Sequence, residues 1–397
     1  MESKMNKKKK TAWQGYIAMV FFMLIGAACG VLMAKYFGDS VEKGGDVSVS
    51  LFQLAGLFVF MYVMIIVQTI IHEAGHMVFG MLTGYRFRSF RIFSFMWLKE
   101  NGRIRLRRLV IAGTGGQCLM APPDFVDGKI PVMLYNFGGV IFNMAAGIIF
   151  EGLYFMTSKM PLVSIVMQMG AVIGFAFAIL NGIPLKMGTV DNDGHNAFAL
   201  RRSRDAQYGF WLQMKVNEQT AEGIRIKDMP DQWFQVPSDE EMKNSMTAVR
   251  GVLVCSRLMD AQHFDEADQL MEHLLEIESG IVALHRHLMI CDRMYIELIT
   301  LNRQDVLNGM LSKEQKKLMK AMKKYPSVLR TEYAYALLAQ RDTAKADKQK
   351  ALFEKCAAAY PYPVEIHAEK ELMDIARQKY PSMIGKGGRC SMEQGNR

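Results

Sequence analysis

The sequence predicts a mostly α-helical chain built as a polytopic membrane helix bundle of about four spans with a β-hairpin insertion, followed by a soluble α-helical domain. Three observations lead there. Long apolar runs crowd into the stretch up to about Leu185, whereas the remainder is polar, charged and helix-forming in composition. Between the second and third runs the periodicity changes to alternation around Asn101-Gly102, a two-residue hairpin signal. The 397 residues are long enough for two domains. The net charge of +9 does not call for nucleic acid, because many Lys and Arg residues flank apolar runs, where positive-inside topology accounts for them.

The first span, residues 13–34, follows Lys7 to Lys10, which places the N-terminus in the cytoplasm of a multi-pass cell-membrane protein. The run is too long for the apolar core of a signal peptide and is expected to stay uncleaved. Residues 39–50 bear Asp39, Glu42 and Asp46 against Lys43 and suit an outer loop. The second span, 51–82, returns inward; as a helix it would be about 48 Å long, more than the roughly 30 Å hydrocarbon core. Six cysteines show no CxxC pair and read as reduced thiols.

The second span ends on His72-Glu73-Ala74-Gly75-His76. On a helix, positions i and i+4 share a face, so both imidazoles reach one metal ion while Glu73 stands beside it. This donor set suits zinc, with a carboxylate as third ligand, an open position for water and Glu73 to collect the proton. The pentapeptide alone arises by chance in roughly one chain in a hundred of this size. Its place on a membrane helix strengthens it, since ionisable groups there cost several kcal/mol unless partnered.

Residues 85–111 carry Phe87, Phe90, Ile92, Phe93, Phe95 and Trp97 before the Asn-Gly pair, then Ile104 and Leu106 alternating with Arg103, Arg105 and Arg107. Such a basic, aromatic hairpin serves either as an edge for an extended substrate strand or as a surface resting on anionic headgroups. Residues 113–123 read as a turn-rich link. The third span, 132–156, holds Asn136, Gly138, Gly139 and Asn143, which suit close helix packing. The fourth, 162–185, is followed by Asn181-Gly182-Ile183-Pro184 at its end and then by Asp191-Asn192-Asp193-Gly194. Positive-inside reasoning puts that acidic segment on the same cytoplasmic side as His72 and His76, so Asp193 and Asp191 are both candidate third ligands.

An HExxH on a membrane helix, a Gly-rich Asn-bearing helix, Asn-x-x-Pro and Asp-Gly together resemble the site-2 protease family of intramembrane zinc metalloproteases, over residues 51–196. By that resemblance His72, His76 and Asp193 bind zinc and Glu73 activates water, with Asp193 favoured over Asp191 because it carries the glycine. Asn143, in Gly139-Val140-Ile141-Phe142-Asn143, and Asn181 would hold substrate near the metal. Val140 stands where the family usually has Pro, the interval from Pro184 to Asp-Gly is longer than usual, and Asn192 replaces a hydrophobic residue. The implied function is a zinc endopeptidase that cuts membrane-embedded proteins or peptides near the cytoplasmic side, after unwinding them against the hairpin. The alternative is an inactive, membrane-anchored interaction protein working through its helical domain.

Residues 197–237 read as a linker, and 238–384 as a cytoplasmic helical domain. Ser238-Asp239-Glu240-Glu241 and Ser312-Lys313-Glu314-Gln315 have the capping-box form. Amphipathic segments fall at 242–259, 264–278, 281–301, 316–325, 328–339 and 345–360. Phe264-Asp265-Glu266-Ala267 and Tyr360-Pro361 resemble pieces of tetratricopeptide-like hairpins, which commonly offer a groove to a peptide or protein partner. The tail, 385–397, is expected to be disordered.

Overall fold

The computed structural model describes residues 2–100, 102–111, 114–185, 191–201 and 203–390. These residues form two compact units, one of residues 1–92 with 115–204 and one of residues 93–114 with 205–397.

The first unit holds α1 (Glu2–Glu42), α2 (Val47–Leu82), β1 (Arg86–Ile92), and, after the second unit's insertion of β2 (Phe95–Glu100) and β3 (Arg103–Arg108), β4 (Gly116–Ala121), α3 (Met133–Met156), α4 (Pro161–Gly182) and α5 (Asp193–Arg201). Four helical stretches are long and apolar enough to cross a membrane: Met23–Glu42 of α1, and α2, α3 and α4 whole. Cys29 and Met33 of α1, Leu57 and Met64 of α2, and Ile165, Met169 and Ile173 of α4 form one buried cluster. The expected outer loop at 39–50 is far shorter. α1 runs on to Glu42, and Asp46 caps α2 by accepting bonds from Ser48 N and Val49 N. At 36 residues α2 is about 54 Å long, more than the roughly 30 Å of a hydrocarbon core.

α2 and α3 meet backbone to backbone. A Cβ on Gly75 would fall 2.2 Å from Gly138 O, and one on Gly138 would fall 2.4 Å from Gly75 O. Only a pair of glycines permits this crossing. The stretch expected to be a link at 113–123 instead contributes β4, antiparallel to β1 with Phe90 opposite Cys118 and Ile92 opposite Gly116.

In the second unit β2 and β3 pair antiparallel, with Glu100 opposite Arg103. The expected turn is therefore two residues long; Gly102 takes φ +76°, and Asn101 lies outside the described residues. Met96 and Leu98 are buried on one face, while Phe95, Trp97, Ile104 and Leu106 are exposed on the other. Arg108 N donates to Ala359 O at 2.9 Å, and the ribbon groups with the helical half in the division into compact units.

The helical half comprises α6 (Arg204–Ala221), α7 (Ser245–Asp260), α8 (Phe264–Glu276), α9 (Ala283–Ile299), α10 (Gln304–Met310), α11 (Lys313–Ala321), α12 (Pro326–Ala334), α13 (Thr343–Ala357) and α14 (Pro363–Cys390). The expected linker is in fact structured: Leu212 and Val216 of α6 bury themselves with Met229 beneath Trp211 and Trp233. The tail is helical through residue 390; residues 391–397 lie outside the described residues. Ser312 caps α11 as expected, but Gln315 does not return the bond. Its side chain reaches His287 and Cys291 instead. At the centre Arg330, 1% exposed, bonds Glu369 at 2.8 Å and Asp292, and lies over the Tyr295 ring.

Candidate metal centre

α2 turns His72, Glu73 and His76 into the interior of the first unit, all three buried. Each imidazole is oriented by a bond at Nδ1. His76 lies 2.8 Å from Tyr135 O, and since a carbonyl only accepts, Nδ1 must carry the proton. His72 Nδ1 lies 2.7 Å from Asn143 Oδ1. Both Nε2 lone pairs are thereby aimed at one point.

Asp193 closes that point as the first residue of α5. Its Oδ2 lies 2.9 Å from His72 Nε2 and 3.4 Å from His76 Nε2, and the two Nε2 atoms are 3.2 Å apart. A tetrahedral ion roughly 2.0–2.1 Å from each ligand holds its donors about 3.3 Å apart, so the three atoms have the spacing of a ligand set. His72, His76 and Asp193 could hold a metal ion. Asp191, the rival ligand, turns away; its Oδ2 lies 3.5 Å from His195 Nε2.

Glycines shape the space around these groups. A Cβ on Gly139 would fall 2.5 Å from His72 Cε1, one on Gly116 of β4 would fall 2.5 Å from Glu73 Oε1, and one on Gly194 would fall 2.4 Å from Gly182 O. The glycine of Asp-Gly is thus needed for α5 to approach the end of α4.

The two asparagines that the family resemblance gives to substrate sit differently. Asn143 is fully buried, its Oδ1 on His72 and its Nδ2 donating to Gln68 O at 2.9 Å and to Gln68 Oε1 at 2.8 Å. Asn181 donates back along its own helix to Phe177 O at 3.0 Å. Asn192, noted in the sequence only as a departure from the family pattern, has a structural role. Its Oδ1 accepts from Leu185 N and His195 N, capping α5, and its Nδ2 donates to Leu180 O and Ile183 O, which ties α5 to the end of α4. An Asn directly before a helix that opens Asp-Gly is a cap signal that could have been read. Gln68 and Tyr135 had weaker signals: one polar residue a turn before His72, and a backbone carbonyl that no side chain announces.

Compared with known proteins, the chain matches no family model, no curated protein and no solved structure.

Proposed function

We propose that this chain is a membrane-embedded zinc endopeptidase of site-2 protease type, acting on peptide bonds of membrane proteins or peptides near the cytoplasmic side. The observation that carries the reading is the convergence of two imidazole Nε2 atoms, each locked from behind, and one carboxylate oxygen, beside a buried Glu73. A zinc ion held by His72, His76 and Asp193 would polarise the scissile carbonyl and acidify a water molecule.

The chain's own residues do the rest. Glu73 precedes Ala74 on the same turn as the ligands, and the missing side chain of Gly116 leaves its Oε1 room. It takes the proton of the attacking water and returns it to the leaving amine. Asn143 and Tyr135 keep the imidazoles turned, so no reorganisation is needed during the reaction. A helical substrate hides its carbonyls in internal hydrogen bonds and must be unwound before it reaches Glu73, with strand edges supplying replacement backbone partners. The helical half is proposed to engage a peptide or protein partner.

The test compares the wild type with Glu73→Gln, both purified in detergent, by metal content and by cleavage of single-span membrane peptides. We expect equal zinc in both and cleavage by the wild type alone. Zinc in both with cleavage by neither would favour a membrane-anchored interaction protein. A wild type that takes up no metal would overturn the ligand set.

A further inference from the structure

Gln68 lies one turn before His72 on α2 and is fully buried. Its side chain reaches two other helices. Nε2 donates to Gly170 O of α4 at 2.9 Å, and Oε1 accepts from Asn143 Nδ2 of α3 at 2.8 Å. Space for it is cut by Gly174, where a Cβ would fall 2.7 Å from Gln68 Nε2.

The direction of every bond in this chain follows from its far end. A backbone carbonyl only accepts, so the Gln68 atom facing Gly170 O is the NH2 group. Its other atom is then the carbonyl oxygen, which needs a donor, so Asn143 presents its NH2 to Gln68. The second hydrogen of that NH2 goes to Gln68 O. Asn143 must therefore turn Oδ1 towards His72, where only a protonated Nδ1 satisfies it. That leaves the lone pair of His72 on Nε2, facing Asp193 at 2.9 Å. With either amide reversed, the chain would set two donors or two acceptors against each other. Orientation of the amides is thus dictated by the network itself.

We infer that Gln68 is a positioning residue of the metal centre: it anchors Asn143 to the α4 backbone and so fixes the imidazole of His72 in the tautomer that binds metal. The inference rests on the metal reading of the site, and adds that α4, which supplies no ligand, sets the state of one ligand through a carbonyl. Asn143 belongs, on this account, to the support of His72.

The test reads metal affinity, by competition with a chromophoric chelator, in full-length protein in nanodiscs. Gln68→Met keeps the length of the side chain and removes both bonds. We expect it to weaken zinc or cobalt binding about 10- to 100-fold, the usual effect of removing a partner behind a metal-bound histidine. Gln68→Glu, as the neutral acid, keeps an O–H for Gly170 and an oxygen for Asn143, and should stay within a few-fold of the wild type. Asn143→Ala should weaken binding as well, and Gln68→Met added to it should weaken it no further, because Gln68 acts only through that amide. Far-ultraviolet circular dichroism and the unfolding midpoint of the metal-free variants check that all are folded.

A wild type that binds metal alongside a Gln68→Met variant of equal affinity would overturn the role of Gln68 and leave the ligand set standing. Additive losses in the double variant would also overturn it, since they would mean a general effect on packing. A wild type without metal would overturn both.

Discussion

Gly75 sits inside the His-Glu-x-x-His motif at a position where the motif itself sets no residue, yet substituting it with Ala should dismantle the centre. A Cβ there falls 2.2 Å from Gly138 O and 2.6 Å from Gly138 C. These are backbone atoms of a helix and cannot turn aside, so α3 must retreat by roughly 1 Å to restore an ordinary contact. Both bonds that orient the imidazoles cross this interface, since Asn143 and Tyr135 lie on α3. Lengths of 2.7 Å and 2.8 Å would grow beyond the range of a hydrogen bond. Each lost partner costs about 10- to 100-fold in metal affinity, so Gly75→Ala should lose about 10²–10⁴-fold, or about 3–5.5 kcal/mol. Competition with a chelator measures this directly, and Ala74→Ser serves as the neighbouring control. Wild-type affinity in a folded Gly75→Ala protein would refute the reasoning, because it would show that the two helices can separate without disturbing His72 or His76.

Asn192→Ala removes the cap of α5 and both of its bonds to α4; it should cost about 1–2 kcal/mol in local stability and weaken metal binding through Asp193, as hydrogen exchange and chelator competition would show. In the helical half, Arg330→Met strands Asp292 and Glu369 as buried charges and should lower unfolding stability by about 3–5 kcal/mol in denaturant titration. Burial pushes Glu365 up to about 7, with the charge of Glu369 adding to it and the bond from Tyr360 opposing it. A carboxyl raised in the folded state binds its proton more tightly there than in the unfolded chain. Its contribution to stability should accordingly be lost as pH rises from about 4.5 towards 7, and Glu365→Gln should make the decline shallower in thermal unfolding scans.

The grouping of His72, His76 and Asp193 was legible in part because the i, i+4 spacing of the two histidines is a property of any helix, and charge bias led to the expectation that Asp193 lies at the same end. What holds the ligands was not legible, since it lies in long-range pairings: Asn143 is 71 residues from His72, and Tyr135 contributes only a backbone carbonyl. β4 was hidden for another reason. Gly113, Gly115, Gly116 and Pro122 read locally as turn, yet Gln117 to Ala121 gain their strand from β1, and Gly116 is there to clear Glu73. Arg91 went unremarked in the sequence, yet it is 1% exposed and directs Nη2 at Gly116 O. Length and alternation cannot distinguish it from Arg103 or Arg105, whose side chains stay in solvent. Residues 204–221 read as linker because mean polarity conceals that Leu212 and Val216 share one buried stripe of α6.

The polar groups of the first unit also bear on whether a metal belongs there. Once Nδ1 of each imidazole has given its proton to Tyr135 O and Asn143 Oδ1, the two Nε2 atoms and Asp193 Oδ2 face one another as lone pairs, 2.9 Å to 3.4 Å apart. Three acceptors in contact are repulsive in a medium that water does not fill, and the repulsion grows as the local dielectric falls. One proton can sit between only two of them at a time. A divalent cation satisfies all three at once, at the spacing they already have. A helix bundle that only crossed a membrane would gain stability by replacing these groups with apolar ones, because buried ionisable clusters are seldom stabilising in themselves. The bonds behind His72 and His76 run the other way and hold both Nε2 lone pairs against Asp193, an arrangement that suits a cation and that packing alone would avoid.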